Sequence, residues 1–132
     1  MAQACTTAAT AYGLERVQFE RPIGSFQAVK HILADMAVRA EVARAAVDAA
    51  ACTLDDPDIG DLERTVAGAR MLASEAALAN AKSSMQVHGG MGFTWEVDVH
   101  LYLKRAWLLD THFGSADVCA DMVFKTLTVL SG

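Results

Sequence analysis

The stretch that decides the fold is residues 26–54, FQAVKHILADMAVRAEVARAAVDAAACTL. Its apolar residues recur at intervals of three and four, which is the period of one face of an α-helix. They fall at Val29, Ile32, Leu33, Met36, Ala40, Ala43, Val47 and Ala50. At a rise of 1.5 Å per residue the predicted helix is about 40 Å long. A helix of that length favours an interlocked bundle over a small isolated unit.

Similar patterns on either side predict four further helices. They cover residues 1 to about 20, 62 to about 88, 97 to about 109, and the segment from about 115 onward. Met1 offers no capping side chain, so the first helix looks entered part of the way along. The third helix has a narrow face of small residues, at Val66, Ala69, Ala73, Ala76, Ala77 and Ala81. The sequence therefore predicts an all-α fold, an up-and-down bundle of four long helices and a short one, as a single helical domain over residues 1–132.

Segments rich in glycine, proline and acids separate these helices. Residues 21–24, RPIG, end the first helix, because proline disfavours helical geometry at the residue before it and Gly24 lets the chain reverse. Residues 55–61, DDPDIGD, supply acids that can cap the next helix, and we expect an exposed hairpin tip there. Residues 86–94, QVHGGMGFT, hold three glycines in four positions, which by themselves are typical of a tight turn between helices.

Composition excludes several classes of partner. Of the 132 residues, 53% are hydrophobic and only 7% aromatic, with an excess of alanine and leucine that favours helix. The net charge of −5 and the lack of a long Lys/Arg run argue against nucleic acid or an anionic membrane as the main partner. No stretch reaches the ~18 uninterrupted apolar residues of a membrane span, and the N-terminus has no signal pattern. The sequence predicts a soluble, cytoplasmic protein.

Cysteine and histidine spacing indicates neither a disulfide framework nor a metal site. Cys5, Cys52 and Cys119 are odd in number and far apart, so we expect buried free thiols. His31 and His100 are interpreted as surface or helix-end residues, and no ligand set for a metal is expected.

Two corners between the predicted helices carry a resemblance to a known family. One is residues 16–27, RVQFERPIGSFQ, and the other is residues 86–94. From residue 12 to about 118 the chain resembles the C-terminal helical domain of the acyl-CoA dehydrogenases, flavoenzymes of lipid metabolism that oxidise acyl-CoA thioesters between the α and β carbons. The chain is too short for the usual three-domain enzyme of that family, so the resemblance implies an oxidoreductase that works as part of a larger assembly.

The resemblance implies that the first corner binds FAD. In the family this corner meets the pyrophosphate and adenosine end of the cofactor, and the matching residues are Arg16, Gln18, Phe19 and Gln27. Arginine suits this task because its planar fork donates two charge-assisted hydrogen bonds to a diphosphate, while an aromatic neighbour keeps water away. Without the resemblance, the same residues would be interpreted as a solvated arginine beside a core phenylalanine.

The second corner is implied to contact FAD as well. Its matching residues are Gln86, Gly89, Gly90 and Gly92, and missing side chains there let a dinucleotide approach the backbone N–H groups. In the family this corner serves the FAD of the neighbouring subunit, which implies an oligomer formed with acyl-CoA dehydrogenase subunits. His88 is interpreted as a polar residue at a helix end, with ligand contact as the alternative.

The chain departs from the family pattern in two places. Glu20 stands where the family commonly has glycine, and it brings a negative charge near the expected diphosphate unless it turns outward toward Arg21. Phe113, in the run THFGS at residues 111–115, aligns with the family's catalytic glutamate. Phenylalanine cannot accept a proton, so no catalytic residue is predicted in this chain. The titratable neighbours Asp110, His112 and Asp117 are interpreted as structural, and Asp117 should complement the dipole of the last helix.

Three interpretations therefore stand after the sequence has been read. The first is the FAD-clamping and oligomerisation domain of an acyl-CoA dehydrogenase-like flavoprotein. The second is a non-catalytic partner subunit of a heteromeric acyl-CoA dehydrogenase, which the phenylalanine at the position of the base favours. The third is an unrelated helical interaction module whose two corners match by accident.

Overall fold

The computed structural model describes residues 1–112 and 114–129, which fold as a bundle of five α-helices. The helices are α1 Ala2–Glu15, α2 Gln27–Asp55, α3 Leu62–His88, α4 Val99–His112 and α5 Ala116–Val129. Three short 3-10 turns, Ile23–Ser25, Pro57–Ile59 and Gly89–Phe93, lie between them. Helix α3 packs against each of the other four helices. The all-α prediction is confirmed.

The core sits where α1, α2 and α3 meet. Its buried residues are Cys5, Ala9, Met36, Ala81 and Val87. Half-buried larger side chains surround them, including Tyr12, Ile32, Leu33 and Tyr102. Alanine at the contact positions allows the helix backbones to approach closely, which is why the long periodic faces of α2 and α3 can pair along their length. Two predicted core residues, Val47 and Val66, are instead about half exposed.

A buried asparagine ties three of the helices together. The side chain of Asn80 on α3 is fully buried, and its Nδ2 donates to the carbonyl oxygen of Met36 at 2.8 Å and to Thr6 Oγ1 at 3.2 Å. Its Oδ1 accepts from Arg39 Nε at 2.8 Å. Because a buried amide must keep its partners, this network fixes how far α1, α2 and α3 can slide past one another.

The first helix ends earlier than predicted. It ends at Glu15, and Val17–Gln18 then pairs with Arg21–Pro22 as a minimal antiparallel hairpin. Phe19 and Glu20 form its two-residue turn with φ of 53° and 64°. Two successive positive φ values are typical of a type I′ turn, whose twist matches paired strands. The prediction of helix to about residue 20 was wrong because a hairpin takes these residues.

The acidic corner after α2 behaves as the sequence predicts. Its residues from Asp55 to Gly60 are exposed. The side chain of Asp61 caps α3 by accepting a hydrogen bond from the backbone N–H of Arg64 at 2.8 Å. Asp117 likewise lies in the first turn of α5, where its charge complements the helix dipole.

The three cysteines differ in environment. Cys5 and Cys119 are buried as predicted, whereas Cys52 is exposed, so the prediction for Cys52 was wrong. It lies on the outer face of α2, and its neighbour Thr53 takes the buried position. Burial raises the pKa of the Cys5 thiol to about 11, because removing the group from water disfavours the thiolate. Among the helices that the structure describes, none is both long and apolar enough to cross a bilayer.

Candidate cofactor-binding cleft

The two corners singled out in the sequence meet at one cleft. Arg16 and Gln18 from the hairpin side face Gly89, Gly90 and Met91 from the glycine corner across a space of about 530 Å³. The remaining lining residues are Tyr12, Ile23, Val87 and His88. Segments far apart in sequence therefore form a single concave surface with a cationic side chain on one wall and bare backbone on the other.

The end of α1 fixes the backbone of Arg16. Its N–H donates to the carbonyl oxygen of Tyr12 at 2.9 Å, and its own carbonyl oxygen accepts from the N–H of Ile23 at 2.8 Å. The first bond closes α1 and the second joins the base of the hairpin to the start of the 3-10 turn. The main chain of Arg16 is thus held on both sides, while its side chain remains exposed.

The three glycines of the second corner do different things. Gly89 has φ +59°, a conformation that residues with a side chain rarely adopt. At Gly92 a Cβ would lie 2.9 Å from the carbonyl oxygen of Met85, so close packing requires glycine there. At Gly90 a Cβ would meet nothing within 4 Å. The fold itself does not need glycine at position 90, and the space beside it opens into the cleft.

His88 joins the two walls. Its ring stacks on that of Tyr12, with centroids 4.3 Å apart and planes 26° apart, and it is buried. Its Nδ1 lies 2.7 Å from the carbonyl oxygen of Ser84. Since a carbonyl only accepts, Nδ1 carries the hydrogen. Sequence reasoning gave His88 no definite role, because the stack depends on how α1 and α3 cross.

Other residues predicted to bind the cofactor lie outside the lining of this cleft. Phe19 is 86% exposed at the hairpin turn, with its ring edge-on to Phe26 at 6.1 Å between centroids. Gln27 is the exposed first residue of α2, and Gln86 is exposed near the end of α3. Glu20 is exposed at the turn, and the guanidinium of its neighbour Arg21 lies over Phe26, 4.0 Å from the ring centre.

The turn between α4 and α5 is held by an arginine that the sequence reasoning did not single out. Arg70 Nη2 donates to the carbonyl oxygen of Leu109 at 2.6 Å and lies 3.4 Å from those of Asp110 and Gly114. Phe113, at the expected position of the base, lies outside the described residues. The contacts of Arg70 nevertheless fix the chain on both sides of that position.

The histidines of α4 and α2 lie in different environments. His112 lies in the last turn of α4, with Nδ1 3.0 Å from the carbonyl oxygen of Leu108. His100, at the start of the same helix, is buried and contacts Trp95 edge-on at 4.7 Å, whereas His31 is exposed on α2. Within residues 1–112 and 114–129, no three His, Cys, Asp or Glu side chains gather as a metal ion would require.

A second cavity of about 410 Å³ lies away from both corners. It lies between the start of α1 and helices α2, α3 and α4, and its lining combines six alanines with apolar residues such as Val47 and Leu109 and with Arg44, Arg70 and Ser74. Its walls carry none of the residues that the sequence assigns to cofactor binding. The composite cleft at the two corners is therefore the candidate site.

This combination defines a helical domain with a two-walled cleft, and comparison with known proteins places it in a family. A family model described as acyl-CoA dehydrogenase, C-terminal domain, matches residues 1–128. The chain belongs to the acyl-CoA dehydrogenase family.

Curated relatives support this assignment. FadE34, an acyl-CoA dehydrogenase of Mycobacterium tuberculosis, is 52% identical over 98 residues, which are 74% of this chain and 14% of that protein. IpdE2, an acyl-CoA dehydrogenase of the same organism, is 48% identical over 105 residues, covering 80% of this chain and 31% of that protein. YngJ of Bacillus subtilis, a probable acyl-CoA dehydrogenase, is 37% identical over 127 residues, which cover 96% of this chain and 33% of that protein. The chain thus spans about a third or less of these relatives.

Solved structures share the fold. Butyryl-CoA dehydrogenase from Megasphaera elsdenii superposes with a TM-score of 0.90 at 29% identity, covering 96% of this chain and 33% of that one. The FAD complex of PigA superposes with a TM-score of 0.90 at 25% identity, and the match covers 99% of this chain and 33% of the PigA chain. The helical bundle is therefore similar to about a third of each of these longer chains.

Proposed function

We propose that this chain is the FAD-clamping and oligomerisation domain of an acyl-CoA dehydrogenase-like flavoprotein, which oxidises acyl-CoA thioesters in its complete assembly. The observation that carries the proposal is the cleft itself. Arg16 and Gln18 stand on one wall and Gly89 and Gly90 on the other, and these are four of the residues that the family resemblance assigns to the cofactor.

The chemistry of the lining fits the diphosphate part of a dinucleotide. Arg16 supplies a charged, forked donor that suits phosphate oxygens. Gly90 leaves a space in which a Cβ would meet no atom of the chain, so a ligand can come close to the backbone. PigA, a solved relative by fold, is described as an FAD complex. The remaining predicted residues, Phe19, Gln27 and Gln86, are not among those that line the cleft.

The dehydrogenation reaction is proposed to require the complete assembly and not this chain alone. Bound FAD supplies the acceptor for the hydrogen that leaves the β carbon, and a base must remove the α-proton. Phe113 occupies the aligned position of that base and has no lone pair to accept a proton. We therefore expect the chain alone to be inactive toward acyl-CoA. Phe113→Glu should yield turnover only where other domains already hold the flavin ring and the thioester.

Oligomerisation is the second part of the proposed function. Several large apolar side chains are more than half exposed, namely Phe93, Trp95, Trp107 and Phe124. Exposed aromatic residues in this number suit burial against another subunit. The purified chain should therefore self-associate at micromolar concentration, and light scattering that gives the mass of a monodisperse monomer would contradict this part.

Two variants test the clamp in the assembled flavoprotein. Arg16→Ala removes the charged donor, and Gly90→Val fills the open space in the cleft, so each should weaken FAD binding roughly tenfold or more. The matched control is Gly68→Ala, because a Cβ at Gly68 on α3 also meets nothing within 4 Å and Gly68 does not line the cleft. Flavin absorbance and circular dichroism are measured on all four proteins. Equal flavin content in wild type and both cleft variants would refute the clamp.

A non-catalytic partner subunit is the second candidate, and Phe113 at the position of the base favours it. This candidate predicts that the chain forms a stable complex with a full-length subunit of the family, which supplies the glutamate. Size-exclusion mass with and without such a subunit separates the two proposals. A complex whose activity is lost when the partner's base is removed, and is not restored by Phe113→Glu, supports the partner role.

A further inference from the structure

We propose that the stacked rings of Tyr12 and His88 are a positioning pair that holds the hairpin wall and the glycine wall of the cleft at the separation a dinucleotide requires. This inference rests on the proposed function, since it concerns the same cleft. It assigns roles to two residues that neither the sequence motifs nor the family assignment gave one.

Each ring belongs to the element that supports one wall. Tyr12 lies in the last turn of α1, and its carbonyl oxygen accepts the hydrogen bond that fixes the backbone of Arg16. His88 is the last residue of α3, immediately before Gly89 and Gly90. A movement of the end of α1 relative to the end of α3 would change the separation of the two walls, and the contact between the rings opposes such a movement.

The histidine ring is itself fixed in orientation. Its Nδ1 lies 2.7 Å from the carbonyl oxygen of Ser84, one turn earlier in α3, and this acceptor requires hydrogen on Nδ1. The ring of the buried His88 then stacks on that of Tyr12, with 4.3 Å between the ring centroids. The hydrogen bond to Ser84 and the stack on Tyr12 together fix the orientation of the ring.

The stack joins the two walls within the lining of the cleft. Tyr12 and His88 line the cleft together with Arg16 and Gly90, so their contact connects α1 to the end of α3 at the site itself. A positioning role differs from a purely structural one in what it predicts. Loss of the stack should weaken ligand binding beyond what the loss of folding stability explains, and a flat apolar ring should restore it.

The test uses the assembled flavoprotein and four variants. His88→Leu and Tyr12→Leu keep much of the apolar volume but remove the ring stack, and each should raise the dissociation constant of FAD about fivefold. His88→Phe and Tyr12→Phe keep a flat ring and should retain affinity within about twofold of wild type. The double variant His88→Leu/Tyr12→Leu should bind no more weakly than the worse single variant, because both changes remove one shared contact.

A remote variant controls for stability. Thr53→Ala removes a buried hydroxyl at the far end of α2, where Oγ1 donates to the carbonyl oxygen of Ala49 at 3.0 Å. It should lower the unfolding temperature of the apoprotein without changing FAD affinity. The leucine variants should bind FAD more weakly than Thr53→Ala does, even where their unfolding temperatures are equal to that of Thr53→Ala.

The outcomes separate this inference from the proposed function. Normal FAD affinity in both leucine variants, with lost affinity in Arg16→Ala and Gly90→Val, would overturn the positioning pair alone. Additive losses in the double variant, or failure of both phenylalanine variants to restore binding, would also overturn it. Unchanged binding in every variant, including Arg16→Ala and Gly90→Val, would overturn both proposals.

Discussion

The backbone of Gly24 lies directly against the backbone of Gly13. A Cβ at Gly24 would be only 2.9 Å from the carbonyl oxygen of Gly13, whereas a Cβ at Gly13 would keep ordinary distances, 3.6 Å from Leu33 Cδ1 and 3.7 Å from Gly24 Cα. The contact therefore leaves room for a side chain at Gly13 but not at Gly24. Gly24 is required for the hairpin segment to pack on α1, which is a different reason from the chain reversal that the sequence suggested.

This difference in available space predicts different effects on stability for alanine at Gly24 and at Gly13. Gly24→Ala forces backbone apart and should lower the free energy of unfolding by about 2 kcal/mol or more, in the range of an overpacked core. Gly13→Ala replaces glycine inside a helix with space available and should be neutral or stabilising by up to about 1 kcal/mol. Urea denaturation of the two variants measures the difference, and equal effects would contradict the contact.

The hairpin turn predicts a stabilising change. Glu20 has φ 64°, which costs an ordinary residue roughly 1–2 kcal/mol, part of which glycine gives back through its greater freedom in the unfolded chain. Glu20→Gly should therefore raise the free energy of unfolding by about 0.5–1 kcal/mol. Glu20→Gln is the control, because it removes the charge and keeps the strained backbone. If Glu20→Gln raised the free energy of unfolding by the same amount, the stabilisation would come from removal of the charge and not from relief of backbone strain.

The buried asparagine predicts a large loss. Asn80→Leu keeps the approximate volume but leaves the Met36 carbonyl oxygen and the Arg39 guanidinium without this partner, at a cost of about 2–3 kcal/mol. Ser83→Ala, which removes only a 3.2 Å contact to Arg39 Nη2, should cost less than about 1 kcal/mol. Thermal unfolding of both variants gives the comparison, and a small loss for Asn80→Leu would show that the network contributes little.

Cys5 predicts how stability changes in alkaline solution. The ordinary pKa of a cysteine thiol is 9.0, whereas burial raises the pKa of Cys5 to about 11. Between about pH 9 and pH 11 the folded chain keeps a proton that the unfolded chain has lost, so the free energy of unfolding falls as the pH rises. Cys5→Ala should show a shallower fall across the same range in denaturant titrations. Parallel curves for the two proteins would contradict the assignment to Cys5.

The helices could be predicted because their signal is repeated over many turns. The face of α2 that contains Met36, Ala40 and Ala43 is buried as its spacing indicates. The hairpin between α1 and α2 could not be predicted, because each strand has only two residues and no periodicity arises over that length. Its geometry depends on the contact between Gly24 and Gly13, which only the folded chain creates.

The cleft was predictable in part. Arg16 and Gly90 came from the resemblance, and the structure brings them together. Phe19 was expected to shield the arginine, but its left-handed backbone places the ring against Phe26. His88 was not assigned a role, because its stacking on Tyr12 is set by the crossing of α1 and α3 and not by any local pattern.

The position of α3 at the centre of the bundle also bears on how the chain folds. Its contacts with α2 and α4 join neighbours in sequence across short turns, so they close small loops and can form early. The contact between α1 and α3 must instead close a loop that contains the whole of α2. Closing this longer loop costs more conformational entropy, so the contact forms more slowly. We therefore expect the stack of Tyr12 on His88, and with it the cleft, to form last. During refolding, helical content should recover before the capacity to take up flavin.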